Sequence, residues 1–200
     1  MKNLSRYLTA IAFALMLIVP AVASAGSSVS TVNKSIRIDD NATAGNVDSV
    51  NGSVRIGDSS VVKSVDTVNG SIKLGNDVRV ERGVDSVNGA VTLKPGCRVD
   101  GNVDTVNGSI RLQDTVVGGD VTTVNGGIRL LEGTEVSGNV VVRKPNGWSH
   151  NNRRKPVKVE IGENVLVQGD LVFEHPVELR LHDSARVGEI IGEEVTIITP

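Results

Sequence analysis

An eight-residue phrase recurs along the chain, and its beat leaves few ways to fold. Ser49-Val50-Asn51-Gly52-Ser53-Val54-Arg55-Ile56 returns from Thr67 to Leu74, from Ser86 to Leu93, from Thr105 to Leu112 and from Thr123 to Leu130. Thr31 to Ile38 is a degenerate first copy with Lys34 after its asparagine. The starting valines, Val32, Val50, Val68, Val87, Val106 and Val124, keep an almost constant spacing. A fixed period of this length is the signature of a stacked repeat, in which one turn cannot bury its apolar face until a neighbour covers it.

A second phrase, Val-x-Gly-Asn/Asp-Val/Leu, keeps the same beat at Val99, Val117 and Val136 and returns at Val167. The last interval, from Val136 to Val167, is one such period with roughly thirteen further positions added, so an inserted loop interrupts the rhythm. The run from Arg143 to Pro156 fits that loop.

Inside each period, β-branched residues alternate with polar ones over stretches such as Ile110-Arg111-Leu112, and Gly, Asn and Asp punctuate between them. That is strand and turn chemistry, without a helical stripe. Asn-Gly between alternating residues is also a hairpin signal. A two-residue hairpin at Asn51-Gly52 would expose Val50 in every copy, however, whereas a corner there lets the valine turn inward. The expected fold is therefore all-β, a single-stranded parallel β-helix or β-solenoid, triangular, with about 18–19 residues per rung. Residues 26–142 form its regular repeats, 143–156 a basic inserted loop, and 157–200 divergent C-terminal rungs and a cap that includes Pro176 and Thr199-Pro200.

A solenoid turns each repeat position into a column. Asn51, Asn69, Asn88, Asn107 and Asn125 are expected to stack as a structural amide ladder, each followed by a glycine supplying the positive φ of a corner. Arg37, Arg55, Lys73, Arg111 and Arg129 align as a basic column interrupted by Thr92, and Asp48, Asp66, Asp85 and Asp104 as an acidic one. Like charges one rung apart repel by about 0.9 kcal/mol even at the dielectric constant of water. Cross-neutralisation between columns, or solvation, is the plain expectation. The sharper one is that Arg55, Lys73, Arg111 and Arg129 bind a polyanion, together with Trp148, Arg153, Arg154 and Lys155 of the loop, where positive charge is densest.

Met1 to Ala25 reads as a secretory signal peptide: Lys2 and Arg6, an apolar run from Leu8 to Val19, then Ala23-Ser24-Ala25 as the cleavage site. The apolar run is short of the ~20 residues that span a bilayer. The mature chain is expected to be periplasmic or secreted, without a transmembrane anchor once cleaved after Ala25. A single cysteine, Cys97, excludes an internal disulfide and reads as a small core filler.

The chain has 21 basic and 23 acidic residues, and the leader carries two of the basic ones, so nothing global suggests a nucleic-acid partner. Trp148 and Phe173 are the only aromatic residues after the leader, too few for a stacking platform. His150, His175 and His182 lie outside the regular repeat and form no triad or zinc spacing. No catalytic residue, cofactor or metal is expected. Paired carboxylates of a polysaccharide-cleaving β-helix enzyme are the minority reading.

The phrase Thr-Val-Asn-Gly-Ser-Ile-Arg-Leu resembles the repeats of secreted adhesin-like β-proteins of bacteria. Val-x-Gly-Asn-Val resembles the rungs of bactofilins, polymer-forming cytoskeletal β-helices. Together the resemblance covers Val32 to about Ile190. It implies a structural or adhesin-like part of the cell envelope, self-associating end to end, with the binding of an anionic envelope polymer or glycan as the alternative. The leader departs from the bactofilins, which are cytoplasmic scaffolds.

Overall fold

The computed structural model describes residues 26–145, 155–192 and 194–198. Residues 1–25, Trp148, His150, Arg153, Arg154, Thr199 and Pro200 lie outside the described residues, and with them the expected leader. Among the described residues there are 23 short strands and no helix. No helix there is long and apolar enough to cross a membrane.

The chain coils so that each turn adds one strand to each existing edge, giving a nine-stranded and a fourteen-stranded sheet. Neighbouring strands run parallel and in register: Ile36 pairs with Val54, Val54 with Ile72, Ile72 with Val91 and Val91 with Ile110. The same column continues through Ile128, Val159 and Leu179 to Ile197. The sequence period is thus the length of one turn, and the Asn-Gly hairpin is excluded. Nine strands at ~4.8 Å apiece make a rod roughly 40 Å long.

A typical turn has three strand segments, as in Ile110–Gln113, Val116–Val117 and Val121–Thr123. In earlier turns the second and third segments merge into one bent strand. Val61–Asn69 pairs with both Arg79–Val80 and Val84–Asn88, which joins two faces of the solenoid into the single larger sheet. The insertion sits between the strands Val140–Val142 and Val157–Ile161, and pairing resumes across it as Ile128 with Val159.

Strand parity builds the core. In Ile36–Ile38, Val54–Ile56 and Ile72–Leu74 the outer residues are buried and the middle one is exposed. Val47, Val65, Val84, Val103, Val121 and Val140 fill the opposite wall with essentially no exposure. Each such aliphatic side chain contributes about 1.5–3 kcal/mol by leaving water. Cys97 is buried among them, its thiol donating to the Gly75 carbonyl at 3.0 Å, and burial raises its pKa to about 11.

Two expectations about the corners are overturned. The glycines after the asparagines do not have positive φ; among the described residues that conformation occurs at Asn41, Ser59, Asp77, Gly96, Asp114, Glu132, Gly133 and Asn164, and at the first glycine, Gly26. From Asn41 onward these mark a different corner, where Asn, Asp, Ser and Gly tolerate the left-handed region. Glycine follows asparagine for another reason: turns pass so closely there that a Cβ on Gly70 would lie 2.2 Å from the Gly52 carbonyl oxygen. Lys34 holds that place in the first copy, and Gly52 stacks on it in turn.

Val50 and its equivalents Val68, Val87, Val106 and Val124 do not turn into the core either. They stay half-buried on the outer side, because the strand keeps its alternation up to the corner. The inward place beside them belongs to Ser49, Thr67, Ser86, Thr105 and Thr123, all buried. Their hydroxyls donate to corner carbonyls of the turn below: Thr67 to Gly52 at 3.2 Å, Ser86 to Gly70 at 3.3 Å and Thr105 to Gly89 at 3.3 Å. A buried hydroxyl needs such a partner, and the bond ties one turn to the next.

Candidate functional site

The outward residues of the nine-stranded sheet run in one line along the rod: Arg37, Arg55, Lys73, Thr92, Arg111, Arg129, Glu160, Arg180 and Ile198. The strands from Ile36–Ile38 to Ile128–Leu131 each offer one outward side chain flanked by two core residues, so a single column dominates that part of the face. Arg55, Lys73 and Arg111 are exposed and make no ion pair among the described residues. Arg37 is 3.8 Å from Asp39, and Arg129 is 3.3 Å from Glu160, both exposed pairs of small worth.

A second arginine pair shows what neutralisation looks like in this fold. On the larger sheet, Arg79 and Arg98 both reach Asp100, at 2.6 and 2.8 Å. Arg55, Lys73 and Arg111 have no such carboxylate. The acidic column offers no relief, because Asp48, Asp66, Asp85 and Asp104 stack on the fourteen-stranded sheet and not beside the arginines. Neutralisation between the two columns is therefore ruled out by topology.

The acidic column meets its own repulsion differently. Its carboxylates are half-buried, one turn apart. Burial, then the charges of Asp104 and Asp66, push Asp85 up to about 8. Burial and the charge of Asp48 push Asp66 up to about 6, and burial raises Asp104 as well. Retained protons let neighbouring carboxyls share hydrogen bonds where two carboxylates would repel.

Two grooves flank the cationic line. One, over the first turns, is lined by Ser35, Arg37, Ser53, Arg55, Ser71 and Lys73. The other, a cleft of about 640 Å³, lies where the chain returns from the insertion. Arg111, Arg129, Lys155, Lys158 and His175 are among its lining, and no acidic residue lines it. The structure thus brings together Arg111, Arg129 and Lys155, and places Arg55 and Lys73 further along the same face. It says nothing of Trp148, Arg153 and Arg154, which lie outside the described residues.

Sequence reasoning misses Lys158 and His175. Lys158 is outward by strand alternation in Val157–Ile161, but its place in the same cleft as Arg129 depends on the register regained after the insertion. His175 is buried in a corner, its Nε2 3.1 Å from the Val124 carbonyl oxygen.

The asparagine column forms one edge of this face. Asn51 donates to the Asn33 side-chain oxygen at 3.0 Å, Asn69 to Asn51 at 2.8 Å and Asn88 to Asn69 at 2.9 Å. Asn107 and Asn125 continue the series at 2.8 Å each. Every inner amide donates upstream and accepts from downstream, so the ladder fixes the corner and the orientation of each amide. Among the described residues no group of three or more His, Cys, Asp or Glu side chains is placed to hold a metal ion.

The fold and this face define a class: a parallel β-solenoid with a cationic face along its length. No protein-family model, curated protein or solved structure matches the chain.

Proposed function

We propose that this protein is a non-enzymatic structural component of the bacterial cell envelope, a rigid β-solenoid rod that lengthens by stacking end to end. One observation carries the reading. The core columns run out at the strands Ile190–Ile191 and Val195–Ile198, leaving Ile190 and Ile197 exposed by 37 and 58%. No further strand covers them among the described residues, and their backbone edge is unpaired on that side.

Ile197 continues the column that begins at Ile36, and Ile190 the one that begins with Val29 and Val47. A second copy stacked in register would place the same kind of residue on each column. Such a head-to-tail contact does not close, so it builds a filament. Sedimentation of the purified protein across concentration tests this. Growth into large species that is abolished by Ile190→Lys with Ile197→Lys supports the rod; a monomer at every concentration overturns it. The envelope location and the adhesin-like and bactofilin-like resemblance belong to the same proposal, and rest on the leader and the repeat phrases.

A second reading has its own observation. The cleft at Arg111, Arg129, Lys155 and Lys158 holds four cations and no acidic lining residue, which suits an anionic envelope polymer. Charge reversal at Arg111 and Arg129 should remove binding to such polymers, and unchanged binding would dismiss it.

A further inference from the structure

We infer that the outer face of the nine-stranded sheet is a track for an extended, carboxylate-bearing polysaccharide lying along the rod axis. This rests on the second reading above, that the face binds anions, and adds the ligand class, its direction and the residues that tell it from other polyanions.

The cations are not a cluster but a line. Arg37, Arg55 and Lys73 occupy consecutive turns, and Arg111 and Arg129 two more, with Thr92 between the groups. Their heights are set by the ~4.8 Å rung spacing. A compact anion meets one or two of them. A polymer that carries one carboxylate on each monomer meets several of them along its length, and chains of uronic-acid sugars are such polymers.

Hydroxyls accompany the cations. Ser35, Ser53 and Ser71 line the first groove beside Arg37, Arg55 and Lys73. Ser109 keeps that place beside Arg111 in the cleft. A serine hydroxyl both donates and accepts, which answers a sugar hydroxyl and has less to offer a bare phosphate chain. The face therefore sets hydroxyls for the ring beside the column of charges for the carboxylates.

Aromatic stacking is the other common way to hold a sugar, and this face has none among its lining residues. The track recognises charge and spacing in its place. Arginine suits the task, because its planar fork binds a carboxylate through two parallel hydrogen bonds. Toward the C-terminal side the run of cations is interrupted by Glu160, which pairs with Arg129 and stands between it and Arg180.

The test uses the full purified chain and fluorescently labelled oligogalacturonates of two to eight sugars, with linear polyphosphate of matched charge as the second ligand. The expected result is affinity that rises with each added sugar. Binding should fall about tenfold or more in R55E/R111E, as expected for lost charge-assisted contacts, and by less in R55K/R111K, which keeps the charge and loses the paired hydrogen bonds. S53A/S71A should weaken galacturonate binding and leave polyphosphate binding unchanged. Circular dichroism of each variant confirms the strand content. Polyphosphate bound as tightly as galacturonate, through the same arginines and without regard to the serines, would overturn the glycan track while leaving an anion-binding face. No binding of either polymer would remove both.

Discussion

A Cβ placed on Gly89 would stand 1.9 Å from the carbonyl oxygen of Gly70, one turn below. Neither partner is a side chain that can swing away, so the contact is backbone against backbone. Gly89→Ala should therefore force two turns apart at the corner and cost about 3 kcal/mol or more, the upper end for overpacked sites. Gly83 is the control: its nearest neighbour would be 3.3 Å away, at the Asn102 carbonyl, and Gly83→Ala should cost well under half as much. Denaturant midpoints of the two variants check this, and equal losses would count against rung contact as the reason for the glycine column.

The asparagine ladder predicts a gradient by position. Asn88 donates to Asn69 and accepts from Asn107, whereas Asn33 accepts one such bond from Asn51. At about 0.5–1.5 kcal/mol per hydrogen bond, Asn88→Ala should destabilise by about 1–2 kcal/mol and Asn33→Ala by roughly half that. Asn88→Asp keeps the shape but cannot donate when ionised, so it should resemble the alanine variant at neutral pH. Equilibrium unfolding of the three variants measures the difference.

Much of this is legible in the chain because a solenoid repeats its environment. Val50, Val68 and Val87 carry the period, and the long interval from Val136 to Val167 locates the insertion that the register of the two strands also spans. The corners are harder to read. Gly52 and Gly70 look the same in sequence whether they serve dihedral freedom or close approach, and only the stacked backbones distinguish the two. The left-handed corner is masked by its variety, because Asn41, Ser59, Asp77 and Gly96 share a conformation and no single residue type. Lys158 is hidden for a topological reason, since the insertion separates it in sequence from the arginines whose cleft it shares.

The acidic column predicts an unusual pH dependence. Asp66 and Asp85 have folded pKa values of about 6 and about 8, raised first by burial and then by neighbouring carboxylates. In the unfolded chain an aspartate titrates near ~3.9. Between those values the folded state holds more protons than the unfolded one, so stability falls as pH rises. The contribution is fully present below about pH 4 and is lost progressively as pH rises through the folded values of about 6 and about 8. Thermal unfolding should accordingly show a lower Tm at pH 8.5 than at pH 5. Asp85→Asn should flatten that decline and raise the Tm at the alkaline end, and a profile unaltered by the substitution would place the pH dependence elsewhere.

Thr92 interrupts the basic column between Lys73 below and Arg111 above, both one turn away in register. The same column shows what a carboxylate does in such a place, since Glu160 stands between Arg129 and Arg180 and pairs with Arg129 at 3.3 Å. Thr92→Glu should reproduce that arrangement and stabilise the fold by a few tenths of a kcal/mol up to ~1 kcal/mol, as for an exposed pair with two partners. Thr92→Arg should do the reverse, because each neighbouring like charge costs about 0.9 kcal/mol before screening. Added salt should shrink both effects toward the unsubstituted protein. Threonine is also a better strand former than glutamate, and that cost does not depend on salt. Unfolding at low and high ionic strength therefore separates the two contributions: a Thr92→Glu gain that persists undiminished at high salt would mean that charge along this column is not what sets its stability.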